Sequence, residues 1–179
     1  MMKGKFMQLK DITADWLKNQ KFKIEKGVTI KGVTVKDLTV NLDGRGEVTE
    51  LWSSSWVGEN GIAMAKHVYQ SSTDFGVVKC WHAHQIHTDQ FVVTRGKIQI
   101  GLVDIRPDSP TFLHVNSVFM GELRPRLVVI PPGIMHGWKS LSEPEVRVTN
   151  FQTEIFDPKD EIRFDWDTVL TEIWEPKNG

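Results

Sequence analysis

The residues best suited to chemistry in this chain are His82, His84, Asp89 and His136. Side chains two apart on a β-strand point to the same face, so His82 and His84 can aim both imidazoles at one point. Four residues then let the chain reverse and return Asp89 on a neighbouring strand beside them. His136 follows a rigid Pro131-Pro132-Gly133 turn that sets how its segment enters the core. Three imidazoles and one carboxylate suit Fe(II), Mn(II), Ni(II), Co(II) or Zn(II), and the pattern does not choose among them. His87 is a rival fourth ligand that ranks below Asp89. The competing reading makes the histidines hydrogen-bonded core groups or substrate contacts with no ion. Cys80 shares strand parity with His82 and His84 and is expected to be a buried, inert thiol that can face the same cavity. His67 and His114 lack ligand spacing and read as structural.

Such a site needs strands to hold it, and strand signals dominate. VTIKGVTVKDLTVNL (28–42) alternates apolar with polar residues, and DGRG (43–46) supplies a turn. Further strand-like runs are 75–84, 90–94, 97–105, 112–120, 126–132 and 146–156, with RGK, RPDSP and PPG as turn chemistry between or beside them. Residues 8–20 predict a short amphipathic helix with Leu9, Ile12, Trp16 and Leu17 on one face. Many short strands with almost no helix predict an all-β sandwich or closed barrel.

The chain has 179 residues, 40% hydrophobic and 25% charged, with a net charge of −1, which fits one ordinary globular domain over 1–179. Without a basic arm or acidic tail, neither nucleic acid nor a membrane surface is an expected partner. No segment approaches the ~20 apolar residues of a spanning helix, and the N-terminus lacks the apolar core of a secretory signal. A single cysteine excludes an intrachain disulfide and fits a reducing cytoplasm. Seven tryptophans against one tyrosine read mostly as packing.

Gly76-(X)5-His82-X-His84-(X)4-Asp89-(X)6-Gly96 followed by Pro131-X-Gly133-(X)2-His136 resembles the two motifs of the cupin superfamily. Asp89 stands where cupins usually have Glu, and Ser140 where the second motif commonly ends in Asn. The resemblance implies a double-stranded β-helix, or jelly-roll barrel, with its core at 40–157 and a short N-terminal helix ahead of it.

From about Asp43 to Trp174 the chain further resembles the dTDP-4-dehydrorhamnose 3,5-epimerase family. The likeness is carried by DGRGEVTEL (43–51), GVVKCWH (76–82), VDIRPDSPTF (103–112), IPPGIMHGW (130–138) and FDPKDEIRFDWD (156–167). The HAH element is similar to that of the nucleotide-sugar 3,4-ketoisomerases. These families work on 4-keto sugars carried on a nucleoside diphosphate, where the ketone acidifies the adjacent C–H bond. By this resemblance His82 falls on the base, Arg45 and Glu50 on nucleotide-holding positions, and His136 on a kept histidine. Asp89 replaces the family's pocket lysine, and Asn150 its acid tyrosine.

Losing a lysine while gaining His84 and Asp89 inverts the local charge, which a bound divalent metal restores. If His82 ligates the metal, the proton acceptor has to be another group or a metal-bound hydroxide, and Lys79, Tyr69 and His87 are the candidate side chains. The expected function is therefore a metal-assisted isomerase or epimerase acting on a nucleotide-linked keto sugar, as a homodimer like the resembled epimerases. The alternatives are a metal-dependent oxygenase and a non-catalytic sugar- or nucleotide-binding cupin.

Overall fold

The computed structural model describes residues 11–176. The strands are β1 (Thr34–Asp37), β2 (Val40–Asp43), β3 (Gly46–Thr49), β4 (His67–Asp74), β5 (Val78–His84), β6 (Asp89–Arg95), β7 (Lys97–Asp104), β8 (Val115–Gly121), β9 (Arg126–Ile130), β10 (Ile134–Ser140), β11 (Glu145–Gln152) and β12 (Glu161–Arg163). They form two antiparallel five-stranded sheets, ordered β1-β9-β6-β11-β4 and β12-β5-β10-β7-β8, and a separate β2-β3 hairpin. This is the expected all-β jelly roll, with sheet strands drawn from residue 34 to residue 163 rather than from 40 to 157.

Period-2 alternation builds the core. On β7, Ile98, Ile100 and Leu102 turn between the sheets to meet Phe91, Val128, Ile130, Val146 and Val148. The opposite face of that sheet is covered by residues from 12–22 and from 162–174. Thr13 caps the helix α1 (Ala14–Lys18), its hydroxyl accepting the Trp16 N–H at 3.1 Å, and Leu17 packs into a cluster with Trp81, Val103, Ile173 and Trp174. Trp174 lies over Gly101, where a Cβ would come within 2.6 Å of its ring, and the Gln99 amide and Lys139 ammonium donate to the Ile173 and Trp174 carbonyls. Of the seven tryptophans only Trp166 is largely exposed, so the packing reading holds.

Several expected boundaries move. The helix is shorter than 8–20 because its chain turns at Asn19, while residues 8–10, Leu9 included, lie outside the described residues. The 28–42 run is not one strand, since Lys31 and Gly32 form a turn before β1 and the chain leaves the sheet again before β2. Residues 75–77 are turn rather than strand, and Leu113, with φ of 64°, keeps β8 from starting before Val115. β4 and β10 fall outside the expected runs. Among the described residues no helix is long and apolar enough to cross a membrane.

The family-like segment DIRPDSPTF is a structural knot. Asp104 is fully buried, and its carboxylate accepts from the Arg106 N–H and guanidinium (2.8 and 2.9 Å), Ser109 Oγ (2.5 Å) and Thr111 Oγ1 (2.6 Å). Burial alone would raise its pKa, but these donors hold it below the ordinary carboxylate value. A depressed folded pKa stabilises above the unfolded value of about 4, and that contribution disappears as pH falls through the folded value. Asp104→Asn should therefore cost about 1–3 kcal/mol at neutral pH, and its thermal melts should converge on wild type as the buffer is acidified below pH ~4. Equal melting at neutral pH would remove the knot from the stability account.

Candidate active site

One register feature sets up the site. His136 on β10 pairs with His82 on β5, but two residues further along Trp138 pairs with Lys79, so β5 carries one extra residue opposite Gly137. A Cβ on Gly137 would overlap Cys80, which explains the glycine at this bulge. The bulge resets strand parity: His82 and His84 face inward, while Cys80 packs with Trp81 and Val78 against the outer cluster. The expectation that Cys80 can share the histidines' cavity is thus corrected. Burial pushes its thiol up to about 12, in keeping with an inert thiol.

The donor atoms of His82, His84, Asp89 and His136 all lie within 4.8 Å of one another, and three of the four residues are buried. The centre of the group is Asp89 Oδ2, 3.0 Å from His136 Nε2 and 3.2 Å from His84 Nε2. Behind each ring stands a backbone carbonyl: Ile134 O lies 2.9 Å from His136 Nδ1, and Asp160 O lies 3.3 Å from His84 Nδ1. A carbonyl only accepts, so each Nδ1 carries a hydrogen and each ring turns its Nε2 toward Asp89 Oδ2. Nδ1–H to a carbonyl is how ligating histidines are commonly oriented, and here it leaves two Nε2 atoms and Asp89 Oδ2 facing one point. The donor set therefore fits a divalent transition metal.

The second oxygen of Asp89 faces away from that point. Oδ1 accepts from Asn150 Nδ2 at 2.7 Å and Gln152 Nε2 at 3.0 Å, with His87 Nε2 at 3.4 Å. Burial alone would raise Asp89, but the contacts of His136, His84 and His87 hold it ionised well below the usual carboxylate range. His82 lies with its ring 4.1 Å from His136 and 6.2 Å from Trp138, and alone among the four it keeps partial exposure. Burial, followed by the neighbouring His136, pushes its pKa well down and leaves it neutral.

Tyr69, the one tyrosine, sits directly opposite Asn150 in the β4–β11 pair, and its Oη accepts from Asn150 Nδ2 at 3.1 Å. The phenol absent from position 150 thus stands on the next strand beside it. Burial raises its pKa above the ordinary value of 10.0, with Asn150 opposing and Asp89 adding to the rise, so it stays protonated.

Other expected residues are not gathered here. Lys79 donates to the Ser72 carbonyl at 2.5 Å. Arg45, at the exposed turn of the β2-β3 hairpin, pairs with Asp43, and Glu50 follows that hairpin beside Lys36 and Trp56. Three residues of the site escaped the sequence reading: Gln152, Asp160 and Arg163. Arg163 on β12 pairs in register with His82, and its guanidinium is held by Glu161 at 2.8 Å. A groove of about 1180 Å³ lies elsewhere, between residues 24–35, β8 and residues 173–176.

Comparisons with known proteins place this geometry in a family. The family model described as dTDP-4-dehydrorhamnose 3,5-epimerase matches residues 27–177. A probable low-salt glycan biosynthesis epimerase from Haloferax volcanii is 34% identical over 122 residues, spanning 68% of this chain and 77% of the relative. The spore coat polysaccharide biosynthesis protein SpsL from Bacillus subtilis is 36% identical over 94 residues, 51% of this chain and 62% of that protein. Among solved structures, the dTDP-4-dehydrorhamnose 3,5-epimerase of Sulfolobus tokodaii superposes with a TM-score of 0.71 at 25% identity, covering 83% of this chain and 84% of that one. The 3'-monoepimerase ChmJ of Streptomyces bikiniensis, solved with dTDP-quinovose, shares the fold with a TM-score of 0.72 at 21% identity, over 80% and 76% of the two chains. The chain belongs to the dTDP-4-dehydrorhamnose 3,5-epimerase family and is an epimerase- or isomerase-like enzyme.

Proposed function

We propose that the protein isomerises a nucleotide-linked 4-keto sugar by moving the proton on a carbon beside the ketone. A divalent transition metal is held by His84, Asp89 Oδ2 and His136, with His82 in reach of the same point. The observation carrying this reading is the convergence of two carbonyl-oriented Nε2 atoms on one oxygen of an ionised, buried carboxylate. The family and the ChmJ complex with dTDP-quinovose support the substrate class.

The ketone makes its neighbouring C–H bonds acidic, so the enzyme needs a neutral base, a proton donor and something to stabilise the enolate. When bound, the metal supplies Lewis acidity to the ketone oxygen, a contribution worth several kcal/mol. His82, neutral and partly exposed, takes the proton on the open side of the cluster. Tyr69 accepts from Asn150 through its oxygen, which leaves its own O–H free to donate to the sugar. Asn150 thereby serves the substrate indirectly, by holding both Tyr69 and Asp89.

Arg163 supplies the hold on the diphosphate. Its register with His82 sets it beside the cluster, and its positive charge is felt by both His82 and Tyr69. Glu161 fixes two of its nitrogens, and the exposed remainder of the fork can meet phosphate oxygens. Arg163→Ala should raise KM by about 10–100-fold, the loss of one or two charge-assisted hydrogen bonds, with kcat changed far less. A drop in kcat at constant KM would move Arg163 out of substrate binding. Arg45 and Glu50, expected on the nucleotide, and the homodimer and cytoplasmic setting belong to the same proposal. Exposed Leu42 and Val48 on the hairpin that carries Arg45 support a partnered surface there.

The test is proton exchange. A nucleoside diphosphate 4-keto-6-deoxyhexose incubated with the enzyme in D2O should gain deuterium at a carbon adjacent to the ketone, and a chelator should stop it. Oxygen consumption coupled to substrate loss would indicate an oxygenase instead, and tight binding without exchange a non-catalytic module.

A further inference from the structure

Asp160 comes from a charged tail, yet its carboxylate is buried, with 3% of the side chain exposed. Oδ1 accepts the backbone N–H groups of Gln85 (2.9 Å) and Ile86 (2.8 Å), and Oδ2 those of His87 backbone (3.1 Å) and His87 Nδ1 (2.7 Å). Its main-chain carbonyl stands behind His84 Nδ1 at 3.3 Å, and the next residue, Glu161, pairs with His84 as β12 begins. One residue thus gathers Gln85, Ile86 and His87 of the turn between β5 and β6, the turn that connects His84 to Asp89.

The far side of His87 completes the connection. Its Nε2 lies 3.4 Å from Asp89 Oδ1 and 3.1 Å from Gln152 Nε2, and its ring lies 3.7 Å from the His84 ring. We infer that Asp160 is the positioning residue of the metal centre. Through its carboxylate it orients His87, whose Nε2 accepts from the same Gln152 amide that donates to Asp89 Oδ1, so that Oδ2 is the oxygen presented to the cluster; through its carbonyl it fixes the His84 tautomer. The inference rests on the proposed metal site of His84, Asp89 and His136.

His84, His87 and Asp160 also lie within 4.8 Å of one another, the spacing of a metal cluster. Hydrogen bonds already account for them. Both Nδ1 atoms have an oxygen of Asp160 as partner, and the carboxylate takes three backbone N–H groups besides. His87 is therefore a support rather than a fourth ligand. A carboxylate limited to one oxygen keeps coordination positions open for substrate, as catalytic sites require.

Two variants test this with Co(II) as the probe, read by chelator competition and by the visible spectrum of the bound ion. Asp160→Ala releases both halves of the arrangement. His87→Leu leaves Asp160 its backbone bonds and cuts only the link to Asp89, so it covers the case in which Asp160→Ala fails to fold. Both should weaken Co(II) binding by about 10–100-fold at one ion per chain and alter the Co(II) spectrum. His87→Gln, which keeps an N–H donor, should recover part of the affinity. Wild-type affinity and spectrum in His87→Leu would overturn the inference, as would complete loss of stoichiometric binding, which would make His87 a ligand. A wild-type protein that takes up no Co(II) would instead sink the metal reading beneath it.

Discussion

His82→Gln should slow deuterium exchange into the sugar by about 10²–10⁴-fold, the usual contribution of a positioned general base, while the bound metal is retained. The split follows from position. His84, Asp89 and His136 are buried and locked from behind, His84 and His136 by carbonyls and Asp89 by the Asn150 and Gln152 amides. His82 is the member with partial exposure and with a lone pair kept neutral by burial. Two imidazoles and a carboxylate on one face suffice for a divalent ion, so the fourth side chain is free for the substrate. Metal content and exchange rate measured on the same preparation check it. Loss of metal together with exchange would make His82 a required ligand and transfer the proton to another group.

Asp89→Ala should have the opposite profile, with both metal and exchange lost and the fold weakened. The substitution removes the shared acceptor of His136 and His84 and leaves the Asn150 and Gln152 amides without their carboxylate. Gln152 has little to spare, because its Oε1 is already buried without a partner. Removing one member of a buried charged network costs about 3–5 kcal/mol, which calorimetry reads as a large drop in melting temperature. Adding Zn(II) or Co(II) should raise the melting temperature of wild type and leave that of the variant unmoved, since only a protein that binds the ion is stabilised by it. An equal rise in both would show that Asp89 is not a ligand.

The convergence of His82, His84, Asp89 and His136 was legible in the sequence because their spacing is local. His82 and His84 follow from strand period, Asp89 from a four-residue reversal, and His136 from the proline turn ahead of it. What surrounds the group was not. β4 does not read as a strand because its inward residues, His67, Tyr69, Ser71 and Thr73, pair with the inner face of β11 yet are polar or aromatic rather than aliphatic. β10 carries Gly137 and His136 where alternation would ask for β-branched residues. The Cys80 parity argument failed because one bulged residue inverts the faces of a strand. Asp160 is one of several acids in its tail, and only contacts reaching back more than seventy positions distinguish it. Tyr69 was named for its chemistry, but its place beside Asn150 depends on a strand pairing that no local pattern reveals.

The same contrast explains why family resemblance and mechanism part company at this site. The fold and the family match agree with an epimerase, whereas the pocket holds a buried carboxylate ringed by histidines where the resemblance implies a lysine. The proposed metal would supply a cation where the resemblance puts that lysine. Elemental analysis of the protein purified without a metal-affinity tag and without chelators measures this directly. About one equivalent of a divalent transition metal per chain, lost in Asp89→Ala, is the expected result. Metal-free protein that exchanges the sugar proton at full rate, unaffected by chelator, would contradict it and return the cluster to a hydrogen-bonded histidine network.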